Sequence, residues 1–137
     1  LSAAALNLNA WNHCGGVWAS ATSRKAYLNG VGPVENTTSA TPTSMVASSV
    51  GIHTNSTDNA AAALVGEVGI WNAALTDDEM TALSKGISPQ LIRPESLVAH
   101  LPLVRNLVDL RGNAWTESGT VPRADHPSII MPKGAIR

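Results

Sequence analysis

The chain has 137 residues, of which 44% are hydrophobic and 14% charged, with a formal charge of −1. That length suits one domain able to bury roughly 65–70% of its unfolded surface, and a charged share well below the usual ~25% excludes a disordered acidic or basic tail. With no Lys/Arg cluster, recognition by phosphate neutralisation is excluded too, so no nucleic-acid partner is expected. Leu1 to Ala10 has no basic region before an apolar stretch and no initiator Met, so it does not read as a signal peptide and the chain is expected to begin mid-protein. Leu6 to Ser20 reads as extended structure, with Leu6-Asn7-Leu8-Asn9 alternating apolar and polar. Lys25 to Leu28 is a short strand, Asn29-Gly30 is the strongest two-residue hairpin signal, and Val31 to Val34 returns, which predicts a three-stranded meander. Glu35 to Ser44 is a polar loop, Met45 to Ile52 a strand, His53 to Ala60 a loop, and a further strand runs from about Leu64 to Trp71.

One helix is predicted, Asp77 to Lys85. Thr76 and Glu79 have capping-box spacing, Asp77 and Asp78 lie in the favoured first turn, Leu75 and Met80 can staple, and Gly86 stops it. Beyond Pro89 the texture is extended. Leu97, Ala99, Leu101 and Leu103 fall on one strand face, with Val98, His100 and Pro102 on the other. Ala114 to Gly119 reads as a strand and Ser128 to Met131 as a last short one. No segment approaches the ~20 apolar residues of a membrane helix, and no membrane partner is expected.

No catalytic constellation emerges. Capping explains Asp77, Asp78 and Glu79. The single Cys14 reads as a small buried hydrophobe, and Asp58 and Glu67 as solvated loop or edge carboxylates. His13, His53, His100 and His126 show no metal spacing. They read as hydrogen-bonded strand and loop residues, so no metal and no cofactor are expected.

Short strands, Gly/Asn turns and one late helix predict an all-β antiparallel sandwich. Within that frame, Trp11-Asn12-His13 with Ala26-Tyr27-Leu28-Asn29-Gly30 resembles the Trp-x-His hairpin of laminin-G-like, concanavalin A-like jelly rolls. Gly66-Glu67-Val68-Gly69-Ile70-Trp71-Asn72-Ala73-Ala74-Leu75 is similar to that family's element leading into its short helix. Ser88-Pro89, Ile92-Arg93-Pro94, Leu97 to Leu103 and Ala124-Asp125-His126-Pro127 resemble the segment that follows such jelly rolls in tailed-phage structural proteins. Residues 1–86 are thereby expected to form the C-terminal part of a jelly roll, and 87–137 an extended tail packing on it or on a neighbouring chain. The family's calcium ligands find no match, so the resemblance implies no metal site.

The resemblance implies a non-enzymatic structural component on the exterior of a phage virion, a head decoration or fibre protein. Other virion chains are the expected partners, and a homo-oligomer the expected state. Because few residues precede the hairpin, strand donation is expected to fill the sheet, with Leu97, Ala99, Leu101 and Leu103 as interface candidates. The alternative is a glycan-binding module, with Trp18, Trp71 and Trp115 as stacking candidates and Asn72 as polar partner. Exposed Trp beside Asn or Asp would favour the glycan, and four covered Trp would favour a purely structural role. Trp11 and Trp71 are expected in the core. A glycoside hydrolase would need two facing carboxylates, and no strand carries such a pattern.

Overall fold

Asn29 and Gly30 both adopt positive φ, 53° and 70°, as a two-residue hairpin requires. Around this turn the computed structural model forms the expected meander. Strands β1 (Cys14–Ser20), β2 (Ser23–Leu28) and β3 (Val31–Asn36) pair antiparallel in that order. Pro33 lies in β3, an outer strand, where a missing N–H is tolerated. The structure describes residues 5–42, 48–51, 63–104, 106–118, 122 and 124–133.

A second antiparallel pair joins β4 (Val68–Trp71) to β5 (Leu97–Leu101), with Val68 opposite Leu101 and Ile70 opposite Ala99. Between them come α1 (Asp77–Ser84) and a 3-10 turn at Pro89–Leu91. The chain is therefore mostly β with one short helix. Among the described residues its strands form sheets of three and two rather than a full sandwich. Of the expected strand Met45–Ile52, residues 48–51 are described and form no strand, and the rest lie outside the described residues, as do Asp58 and His53.

Two expected strands give way to side-chain hydrogen bonds, and a third is shortened. Residues 7–12 form a turn rather than a strand. Asn12 Oδ1 accepts from Asn7 N at 3.0 Å, Asn12 Nδ2 donates to the carbonyls of Asn7 and Ala10, and Asn9 has a positive φ of 55°. Residues 114–118 are irregular because the Trp115 and Asn113 side chains are drawn to Asp109. The final strand shrinks to a single parallel bridge, Ile87 to Ile130.

The helix begins as the sequence predicts. Thr76 Oγ1 accepts from Glu79 N, Glu79 Oε2 accepts from Thr76 N at 2.7 Å, and Gly86 closes the end at φ 82°. Leu75 and Met80 join Val17 and Tyr27 in one buried cluster, flanked by Trp71, Leu83 and Ile92. The helix sits so close to β1 that a Cβ on Gly15 would collide with the Met80 methyl. Polar contacts reinforce the docking, since Asp77 Oδ1 accepts from Tyr27 Oη at 2.7 Å and from Lys25 Nζ at 2.9 Å. Burial, and then Asp77, push the Tyr27 hydroxyl up to about 12, so it remains a donor across the ordinary pH range.

This docking predicts opposite outcomes for two adjacent glycines. Gly15→Val should lower stability by roughly 1–3 kcal/mol through overpacking against Met80. Gly16→Val, whose Cβ meets nothing nearer than the Lys25 carbonyl at 3.9 Å, should be neutral or mildly stabilising. Urea denaturation of both variants checks this.

Candidate functional site

Strand residues alternate between faces, so the docking of α1 decides the rest of the meander. Gly15, Val17, Lys25 and Tyr27 face the helix. Gly16, Trp18, Arg24, Ala26, Val34 and Asn36 face away, and none of these six is buried. Leu28, at the hairpin end, is buried. Cys14 is exposed rather than buried, because its side chain lies opposite the helix-facing residues of an outer strand.

One row crosses this open face. Trp18 pairs with Arg24, and Arg24 with Asn36. The Trp18 side chain is 47% exposed, and the Arg24 guanidinium carbon sits 5.0 Å from its ring centroid. Arg24 Nη2 donates to Asn36 Oδ1 at 2.9 Å and to the Thr38 carbonyl. Asn36 Oδ1 also accepts from Thr38 N at 2.9 Å. The result is a shallow platform of small residues with an aromatic plate at one end and fixed polar groups beside it. Such a surface can stack an apolar ring face and hydrogen-bond its rim.

The other candidates are placed differently. Trp71 packs beside the core, and its indole N–H donates to the Ile92 carbonyl at 2.8 Å. Gly69 lacks the Cβ that would strike that ring. Trp115 donates its indole N–H to Asp109 Oδ2 at 3.0 Å. Both polar edges are thus committed to the fold. Asn72 is exposed, with its backbone N–H on the Ser96 carbonyl. Trp11 is 45% exposed instead of lying in the core, because residues 7–12 form a turn beyond the reach of the helix.

The interface candidates are corrected. Leu97, Ala99 and Leu101 are at most 5% exposed, covered by the chain itself, and Leu103 is half-buried just past the strand. The free edge of β5 is closed as well. His100 N donates to Asp109 Oδ1, Leu110 N to the His100 carbonyl, and Asn113 Nδ2 to the Val98 carbonyl. A strand edge capped in this way offers no template to a second chain.

Glu67 is corrected too. It is not a solvated edge carboxylate but the centre of a buried clasp. His100 Nε2 donates to Glu67 Oε2 at 2.9 Å, and His126 Nε2 lies 3.1 Å from Oε1 while donating to the Pro102 carbonyl at 2.8 Å. None of the three side chains is more than 9% exposed. No group of three or more His, Cys, Asp or Glu among the described residues is placed to hold a metal ion. The clasp ties the far tail to β4 and β5. Sequence separation hid it, although the motifs carrying Glu67 and His100 turn out to be the two partners of one sheet.

Asp109 was not singled out by sequence and anchors the same region. Burial alone would raise its carboxyl. Donation from His100 N, the Asn113 side chain, Arg111 N and the Trp115 indole instead brings it down to about 2.

Comparisons with known proteins bear on the fold. Residues 1–81, more than half of the chain, match a laminin G family model described as the concanavalin A-like lectin/glucanases superfamily. No curated protein matches the chain. Among solved structures, the 2.1 Å crystal structure of an S-layer domain-containing protein (residues 221–444) from Clostridium thermocellum ATCC 27405 aligns with a TM-score of 0.51 at 23% identity. The alignment covers 61% of this chain and 43% of that one, so the chain spans less than half of the relative, and the likeness concerns the fold.

Replacing Asp109 by Ala strands four donors, the buried His100 N among them, and should cost roughly 2–4 kcal/mol. Because the folded carboxyl titrates at about 2, below its ordinary 3.8, its contribution is complete above that ordinary value and is lost as pH falls towards 2. Urea melts across acid pH check this: the stability difference between wild type and Asp109→Ala should shrink over that interval.

Proposed function

Because the chain belongs to the concanavalin A-like lectin/glucanases superfamily, we propose that it is a binding module that recognises a glycan on the open face of its meander. The observation carrying this reading is the Trp18 ring, 47% exposed beside ordered Arg24 and Asn36. Exposure alone is ordinary, and Trp11 shares it; Trp18 is distinguished by the Arg24 and Asn36 side chains held in the row that it heads. In the proposed mode the sugar lays its C–H face on Trp18. The Asn36 Nδ2 group, which has no protein partner among the described residues, donates to a hydroxyl.

Binding rather than hydrolysis is the reading adopted, on the state of the carboxylates. A glycosidase needs two of them flanking an accessible bond. Glu67 is enclosed between two imidazoles, and Asp109 is committed to four donors. Neither is presented to a polysaccharide.

A second reading places the module on the exterior of a phage particle, attached to neighbouring virion chains. It rests on the tail sequence, whose quoted motifs form one ordered unit: the Pro89 turn, β5 and the return of His126 to Glu67. On that reading the isolated chain should be an oligomer by light scattering. A compact monomer would count against attachment through copies of itself.

The glycan reading is tested on an array. Wild type should retain a defined class of glycans, and Trp18→Ala should weaken that binding about tenfold or more with an unchanged melting temperature. Binding indifferent to Trp18→Ala, or none to any glycan, would overturn it.

A further inference from the structure

The open face carries one charge, and its chemistry narrows the ligand. Among Gly16, Trp18, Arg24, Ala26, Val34 and Asn36, Arg24 is the sole ionisable side chain. Its neighbours hold it without neutralising it. Nη2 is used twice, on the Asn36 amide oxygen and the Thr38 carbonyl, and the guanidinium lies over the neutral Trp18 ring. Nε is buried without a partner, and Nη1 has none among the described residues.

Two acids on β3 and α1 are engaged elsewhere. Glu35 pairs opposite Lys25 on the helix side and accepts from Ser23 Oγ at 2.8 Å, and Asp77 is held by Lys25 and Tyr27. A half-buried guanidinium that is positioned by uncharged groups, with no acid paired to it among the described residues, is preorganised for an anion, which would gain charge-assisted hydrogen bonds with little ordering cost. Neutral sugar hydroxyls cannot supply that compensation.

We propose that the ligand of this face is an acidic glycan containing uronic acid. One sugar stacks on the Trp18 ring and a carboxylate of the chain meets Nη1 of Arg24. This rests on the glycan-binding reading above and names its substrate class. Stacking and charge are complementary here, because a uronate offers an apolar C–H face and a carboxylate within one residue.

The test uses tetrasaccharides of polygalacturonate, alginate and hyaluronan, each beside its carboxyl-reduced form, in calorimetric titrations of the whole chain. At least one acidic form should bind, and its reduced counterpart should bind about tenfold more weakly or worse. Arg24→Gln should remove that difference. Arg111→Gln, which deletes the same charge from an exposed residue of the tail turn, should leave it intact. Equal binding of acidic and reduced forms, or an equal effect of the two Arg variants, would overturn the proposal while leaving glycan binding through Trp18 in place. Neutral glycans bound with dependence on Trp18, and no uronate bound, would do the same. No binding to either kind would remove both readings together.

Discussion

The contact between α1 and one face of the meander is the constraint on which the rest of the molecule depends. Met80 reaches into the space left by Gly15, Val17 and Tyr27 are covered, and Asp77 receives Tyr27 and Lys25. Because side chains in a strand alternate, choosing the covered face also chooses the open one. Trp18, Arg24 and Asn36 share the face opposite Val17 and Tyr27, with Trp18 exposed and Arg24 and Asn36 half-buried. The capping box makes the helix start where Leu75 and Met80 can pack, so a local sequence signal propagates into the position of the candidate site.

The tail solves a different problem by different means. Its two-stranded sheet is too small to rest on apolar packing alone, and buried polar groups complete it. Glu67 gathers His100 and His126, while Asp109 gathers His100 N, Arg111 N, Asn113 and Trp115. In the clasp Glu67 Oε1 and His100 Nδ1 are buried without a hydrogen-bond partner, while the Asp109 and Asn113 contacts fix the register of β5 and close its edge. The same contacts occupy the Trp115 indole N–H and enclose the Glu67 carboxylate.

Local signals were legible and distant ones were not. Asn29-Gly30, the Thr76/Glu79 box and Gly86 act within a few residues, and each is found where its chemistry requires. Alternation in Leu97, Ala99 and Leu101 predicts their common face, but not that β5 pairs with β4, which depends on contacts across roughly thirty residues. Trp18 was among the candidates, whereas Arg24 and Asn36 became visible only with the register of β1, β2 and β3. Trp71 and Trp115 looked equivalent to Trp18 as residue types. Their indole hydrogen bonds, to Ile92 and Asp109, separate them. The Glu67 clasp was hidden because its histidines lie far apart in the chain and on no common helix.

The central claim is that the outward row of the meander is the ligand surface. It is tested most directly by amide and indole NMR while a glycan retained by the wild-type chain is titrated in. The account predicts that the Trp18 indole and the Arg24 and Asn36 amides shift together, with the Trp71 and Trp115 indoles and the Val17 and Tyr27 amides unmoved. Shifts centred on Trp115, Asn72 or the tail, with Trp18 silent, would contradict it.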